Sequence, residues 1–185
     1  MIKLVIGIDL DDTLTETSKL ANKILHENDK YKDLEDFHLL KHSEYQKFLK
    51  KHIKDIQENV ELKEQAIEVL KWLKEKNFSI VIITARGSKG FDFLIPITEK
   101  YLISKKIPYD AIIFKQEKKG KACISHNVSL FIDDKENVLD EISEHGIKVL
   151  RMNNKNENSK YPSVKSWQNV KKYIQETFNL IVDEQ

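Results

Sequence analysis

The sequence predicts an α/β fold: a doubly wound parallel sheet with a small helical cap inserted after the first strand. Three observations predict it. Short, almost continuously apolar and β-branched runs recur along the chain, which is how strands buried on both faces of a parallel sheet read. Segments with helical spacing alternate with those runs, which implies right-handed βαβ crossovers. Residues 15–59 carry no strand signal and break the alternation.

The first run covers residues 2–9 and ends in a cluster of aspartates. It is far too short to span a membrane and lacks a cleavage site, so it reads as a strand rather than a signal. Residues 15–59 then place aromatic and aliphatic side chains, among them Phe37, Tyr45, Phe48, Ile53 and Ile56, at roughly helical spacing. An insertion after a strand's carboxyl end sits over the crevice where such folds bind ligands. The expected division is therefore a core of residues 1–14 and 60–185 and a cap of residues 15–59. Leu62, Ala66, Leu70 and Leu73 share one face of a helix ending near Asn77. Strands follow at 78–84, 111–114, 130–133 and 148–152. Helices are expected over 95–106, with Pro96 in the first turn, and over 118–126, 136–144 and 166–178. The polar stretch 153–160 reads as a loop.

A chain of 185 residues fits one domain with a modest insertion. The net charge of +1 points to no partner, and the 31 basic residues are lysines except for Arg86 and Arg151. Lysines scattered in this way are solvated helix faces, so no polymeric nucleic acid is expected as a partner. Cys123 is the single cysteine. It permits neither an intramolecular disulfide nor a cysteine-rich zinc site and is compatible with a reducing compartment. The expected location is the cytoplasm, without membrane association.

Four motifs carry chemistry. Asp9-Leu10-Asp11-Asp12-Thr13 follows the first strand. In extended backbone, Asp9 and Asp11 point to the same side, and two such carboxylates repel unless a metal or a reaction uses them. A helix N-cap cluster is the plainer reading, and it suits Asp12 and Thr13. Thr84-Ala85-Arg86-Gly87 ends the second strand, where a hydroxyl beside exposed N–H groups can donate to a phosphate oxygen; an ordinary strand-end threonine is the alternative. Asp133-Asp134 ends a further strand and offers oxygen ligands for a hard cation, or a turn and an N-cap. Of the lysines 115, 118, 119 and 121, one can set an ammonium against a phosphoryl group. Lys121 lies closest to the Asp133 strand and follows Gly120; Lys119 is the runner-up, with Lys118 beside it. Strand ends in this fold converge on one crevice.

In this order the motifs resemble the haloacid dehalogenase (HAD) superfamily of phosphotransferases over residues 2–152. Asp9 to Thr13 looks like its first motif, Thr84 fits the second, Lys121 the third and Asp133-Asp134 the fourth. The residues after Thr13 look like a type-one cap on a Rossmann-like core. Thr84-Ala85-Arg86, Ile107-Pro108-Tyr109-Asp110, Phe131-Ile132-Asp133-Asp134 and Ser166-Trp167 are similar to the 5′(3′)-deoxyribonucleotidase-like group.

The resemblance implies a phosphomonoester hydrolase with an aspartyl-phosphate intermediate. Asp9 would be the nucleophile and Asp11 the acid/base. Thr84, Lys121 and backbone N–H groups would stabilise the phosphoryl oxygens, with Ala85 and Arg86 beside the substrate. Mg2+ would be held by Asp9, the main-chain carbonyl of Asp11 and Asp134, with Asp133 nearby. The expected substrate is a nucleoside monophosphate or a phosphomonoester of similar size, with small sugar or metabolite phosphates as the rival class. Phe37, Tyr45 and Phe48 are candidates to stack on a base, against a role in packing the cap. A receiver domain would need a phosphoacceptor aspartate at a strand end before Thr84, and Asp55 sits instead in a helical, lysine-rich context. A catalytically idle phosphate-binding relative fits poorly with intact acid pairs.

Overall fold

The apolar runs pair into one six-stranded sheet, all parallel. A computed structural model describes residues 3–153, 155 and 157–180. The strands are β1 (Val5–Ile8), β2 (Ser79–Ile83), β3 (Ala111–Ile113), β4 (Leu130–Asp133), β5 (Lys148–Met152) and β6 (Ser163–Val164). Their order is β3-β2-β1-β4-β5-β6, with every neighbouring pair parallel. The chain winds outward from β1 to β3, then returns to β1's other edge with β4. That reversal is a topological switch point, and the carboxyl ends of β1 and β4 diverge there to leave a crevice. Ile2 lies outside the described residues, as do Asn154 and Asn156 of the polar 153–160 stretch.

Seven helices complete the described fold: α1 (Thr17–His26), α2 (His42–Asn59), α3 (Ala66–Glu75), α4 (Leu94–Ser104), α5 (Gly120–Ser125), α6 (Glu136–Ser143) and α7 (Trp167–Thr177). Alternate side chains of each strand go to opposite faces, so the sheet divides two apolar cores. Ile6, Ile8, Leu130 and Ile132 pack with Leu70, Leu73 and Trp167 on one side. Val5, Val81 and Phe131 pack with Cys123, Leu139 and Ile142 on the other. Gly7 permits this second layer, since a Cβ there would meet the Phe131 ring at 2.4 Å.

Two elements differ from the sequence expectation. Helix α3 begins at Ala66 because Gln65 adopts a left-handed conformation, φ 61°, and Leu62 is taken by an antiparallel bridge to Thr15. Strand β6 was not foreseen; two residues on the sheet edge carry no readable periodicity.

Residues between β1 and α3 build α1, short 3-10 turns at Asp29–Tyr31 and Phe37–Leu39, and α2. Ala21, Leu25, Phe37, Leu40, Phe48 and Ile56 form an apolar cluster of their own there. The segment leaves and rejoins the sheet side by side. The Glu16 N–H donates to Glu61 O at 2.9 Å and the Lys63 N–H to Leu14 O at 2.9 Å. Among the described residues, no helix is long and apolar enough to cross a membrane.

Candidate active site

The loop after β1 sorts three adjacent aspartates into three environments. Asp9 still belongs to the sheet, its N–H donating to Ile132 O at 3.0 Å. Beyond it, Leu10 O accepts from the N–H groups of Leu14 and Thr15 at 2.9 and 3.0 Å, which folds the loop tightly. Asp12 takes φ 59°, a left-handed conformation that aspartate tolerates better than most residues. Its carboxylate accepts from the Ser18 N–H at 2.8 Å and from the Ser18 hydroxyl, satisfying the open start of α1 as a capping group does. Trp167 steadies the loop from below, its indole N–H donating to Thr13 O at 3.1 Å.

Asp9 faces Asp133 and Asp134 across the switch point. One ligand oxygen from each lies within 4.8 Å of the others. Lys119 bridges two of the three, with its ammonium 2.6 Å from Asp9 Oδ1 and 2.7 Å from Asp133 Oδ2. Burial pushes the Asp9 carboxyl up to about 7; Lys119 opposes that rise, and the Asp133 and Asp11 charges add to it. Asp134 is raised well above its ordinary value by burial and by the Asp133 and Asp9 charges. For Lys119 burial favours the neutral amine, but the charges of Asp9 and Asp133 prevail and lift the ammonium above its usual range.

The lysine beside these carboxylates is Lys119 and not Lys121, which corrects the sequence expectation. The Glu141 carboxylate accepts from the Lys119 N–H at 2.9 Å and from the Gly120 N–H at 3.0 Å, capping α5. Lys119 precedes the first turn with its side chain directed inward and 3% exposed. Lys121, two positions into the helix, is rotated to the exposed side.

Asp11 turns away from the other carboxylates. Arg86 grips it with Nε on Oδ2 at 3.1 Å and Nη2 on Oδ1 at 2.8 Å. The Thr17 hydroxyl and Gln57 Nε2 donate to Oδ1 at 2.7 and 3.3 Å. Burial works to raise Asp11, but the Arg86 charge and these hydrogen bonds outweigh it and hold the carboxyl well below the usual range. The side chain of Asp11 therefore stands outside the cluster that can hold a cation. Thr84 follows β2 almost fully buried, and its Oγ1 accepts from the Arg86 N–H at 3.2 Å; Ala85 is exposed beside it. Thr17, Gln57 and Thr98 were not read from the sequence. Gln57 carried a usable signal, a polar residue one position from the buried Ile56 of an amphipathic helix.

The Asp9–Asp133–Asp134 cluster fits a hard divalent cation. All its donors are carboxylate oxygens, and Asp134 Oδ1 is buried with no hydrogen-bond partner, an orphaned acceptor of the kind a metal satisfies. Beside it, a cavity of about 620 Å³ opens between α1, the turn at His38 and the ends of β4 and β5, with Lys19, His38, Asp134, Lys135, Arg151 and Lys155 in its lining. Phe37 and Phe48 are buried in the apolar cluster of residues 15–59, so neither offers a face to a base. Tyr45 is half-buried, stacked on Phe37 at 5.7 Å.

No family model matches the chain, and no curated protein matches its sequence. Solved structures match over nearly its whole length. A HAD-superfamily hydrolase from Ehrlichia chaffeensis is 20% identical, covers 97% of this chain and 100% of its own, and superposes with a TM-score of 0.58. A HAD-family hydrolase from Deinococcus radiodurans with bound phosphate and sodium is 10% identical, with 95% and 96% coverage and a TM-score of 0.71. A CbbY variant from Rhodobacter sphaeroides in complex with xylulose-1,5-bisphosphate is 12% identical, with 90% and 95% coverage and a TM-score of 0.59. The fold is the Rossmann-like α/β fold of HAD hydrolases.

Proposed function

We propose that this chain is a Mg2+-dependent phosphomonoesterase that works through an aspartyl-phosphate on Asp9. The observation that carries the reading is the group at the switch point: Asp9, held by Lys119 through Oδ1, beside Asp133 and the partnerless Asp134 oxygen. Lys119 holds one Asp9 oxygen, Oδ1, and the other would attack phosphorus. The bond from phosphorus to the leaving oxygen breaks as the bond to Asp9 forms. Asp11, ionised while Arg86 holds it, takes up the proton that a phosphomonoester monoanion carries and passes it to the leaving alkoxide. It then takes a proton from the water that attacks the aspartyl-phosphate, releasing inorganic phosphate and the Asp9 carboxylate. Thr84 and Lys119 would be the donors that stabilise charge on the phosphoryl oxygens. Asp9 and Asp134, with Asp133 alongside, would hold Mg2+, which would supply neutralisation of the phosphate charge.

The metal assignment has a pH signature. An acid whose pKa rises on folding keeps its proton in the folded state when the unfolded chain has lost it, so stability falls as pH climbs from about 4 to about 7. A bound divalent cation requires the ionised carboxylates and reverses that loss. Saturating Mg2+ is expected to raise the melting temperature more at about pH 8 than at about pH 5. Equal shifts at both values, or none, count against the assignment.

Residues 15–59 act in this reading as a cap that selects the substrate. We propose a nucleoside monophosphate or a phosphomonoester of similar size, with Tyr45 the one remaining candidate of the three aromatics to contact a base. The polar lining of the cavity, with Lys19, His38, Lys135 and Lys155, favours the second reading, a sugar or metabolite phosphate. A kcat/KM panel of deoxynucleotides, ribonucleotides and sugar phosphates decides between them. Sugar phosphates far ahead of every nucleotide would end the nucleotidase reading and leave the phosphatase reading intact; turnover of none would end both.

A further inference from the structure

We infer that Arg86 is a positioning residue for Asp11 and not a ligand for the phosphate of the substrate. This rests on the phosphatase reading, because it concerns how the proton-transfer group of that reaction is held.

The sequence places Arg86 two residues after Thr84, where a guanidinium is an obvious phosphate ligand. The fold uses it otherwise. The Arg86 side chain is 2% exposed, and each of its three nitrogens already has an acceptor. Nε and Nη2 form a two-pronged contact with the two Asp11 oxygens, at 3.1 and 2.8 Å, and Nη1 donates to the Thr98 hydroxyl at 3.3 Å. A parallel pair of charge-assisted bonds fixes the plane of the carboxylate as well as its distance. Thr98 is fully buried on α4, so the guanidinium is itself braced from behind.

The backbone aims the side chain inward. The Arg86 N–H donates to Thr84 Oγ1, Arg86 O accepts from the Lys115 N–H at 3.0 Å, and Gly87 turns the chain away at φ 84°. The contacts from the other side are of a different kind. Thr17 and Gln57 belong to the inserted segment, and Gln57 reaches Asp11 at 3.3 Å while its own Oε1 is buried without a partner. Arg86 is thus the core's hold on Asp11, independent of that segment.

The test compares Arg86→Lys, Arg86→Met and Thr98→Val with wild type. Lysine keeps the charge but cannot form the fork. Both Arg86 variants are expected to lose kcat by roughly 10²-fold, the scale of a misplaced general acid/base, with KM and the inhibition constant of inorganic phosphate moving less than about threefold. The loss should be much larger for alkyl phosphates than for 4-nitrophenyl phosphate, whose leaving group needs no proton; a merely structural role would lower both alike. Guanidinium ion added to Arg86→Ala should restore part of the alkyl phosphatase rate. A rise in KM and in the phosphate inhibition constant with kcat retained would make Arg86 a phosphate ligand and overturn the inference. Thr98→Val, which removes only the brace, should show the same leaving-group pattern in milder form. It keeps the test decisive if the Arg86 variants fail to fold, because a Thr98→Val loss equal for all leaving groups also overturns the inference. Absence of any phosphate turnover by wild type would instead remove the phosphatase reading and this inference with it.

Discussion

Asp9→Asn is expected to lose essentially all phosphatase turnover, on the order of 10⁴-fold or more, with the fold unchanged. The amide has no anionic oxygen to attack phosphorus and is a poor ligand for a hard cation, so the two halves of the mechanism fail together. Nothing in the packing should suffer. The side-chain volumes are nearly equal, the amide oxygen can still accept from Lys119, and Asp133 still balances the ammonium at 2.7 Å. The Asp9 N–H bond to Ile132 O is main-chain and persists. The measurement is steady-state hydrolysis of 4-nitrophenyl phosphate with Mg2+, alongside the melting temperature and far-UV circular dichroism. Unimpaired turnover by purified, folded Asp9→Asn would sink the covalent mechanism.

The strands were legible in the sequence because a parallel strand buried on both faces has only one composition available to it. Residues 130–133 and 148–152 form strands with the bounds their composition predicts, and the end of the first brings Asp133, with Asp134 after it, to the switch point. What pattern reading could not supply was side-chain direction. Asp9, Asp11 and Asp12 read alike as acids at a strand end, yet a tight loop gives one to Lys119, one to Arg86 and one to the start of α1. Arg86 beside Thr84 looked like a phosphate contact until the turn at Gly87 directed it back to Asp11. Gln57 reaches the same carboxylate from the last turns of α2, 46 positions away in the chain, a separation over which periodicity carries no information. The aromatic residues of 15–59 can stack on a base or pack the insertion, and Phe37 and Phe48 pack its small apolar cluster.

Helix rotation decides which lysine lies beside the carboxylates, and it yields the second large expected effect. Proximity in sequence to the Asp133 strand favoured Lys121, but a helix rotates its side chains by about 100° per residue. The capping of α5 by Glu141 places Lys119, and not Lys121, on the inward side. Lys119→Met, which keeps most of the volume, should lower kcat by about 10²–10³-fold, the scale of losing one preorganised donor to a charged transition state. It also leaves Asp9 and Asp133 facing each other without a counter-charge, so the metal-free protein should melt lower, with Mg2+ recovering part of the loss. Lys121→Ala should match wild type in both respects, since its ammonium is exposed and touches neither carboxylate. The comparison is steady-state kinetics and melting curves with and without Mg2+ for the two variants side by side. A severe loss confined to Lys121→Ala would return the role to the exposed lysine and require α5 to turn its other face to the phosphate. A loss confined to Lys119→Met, in kcat more than in KM, ties the buried ammonium to the phosphoryl group in flight.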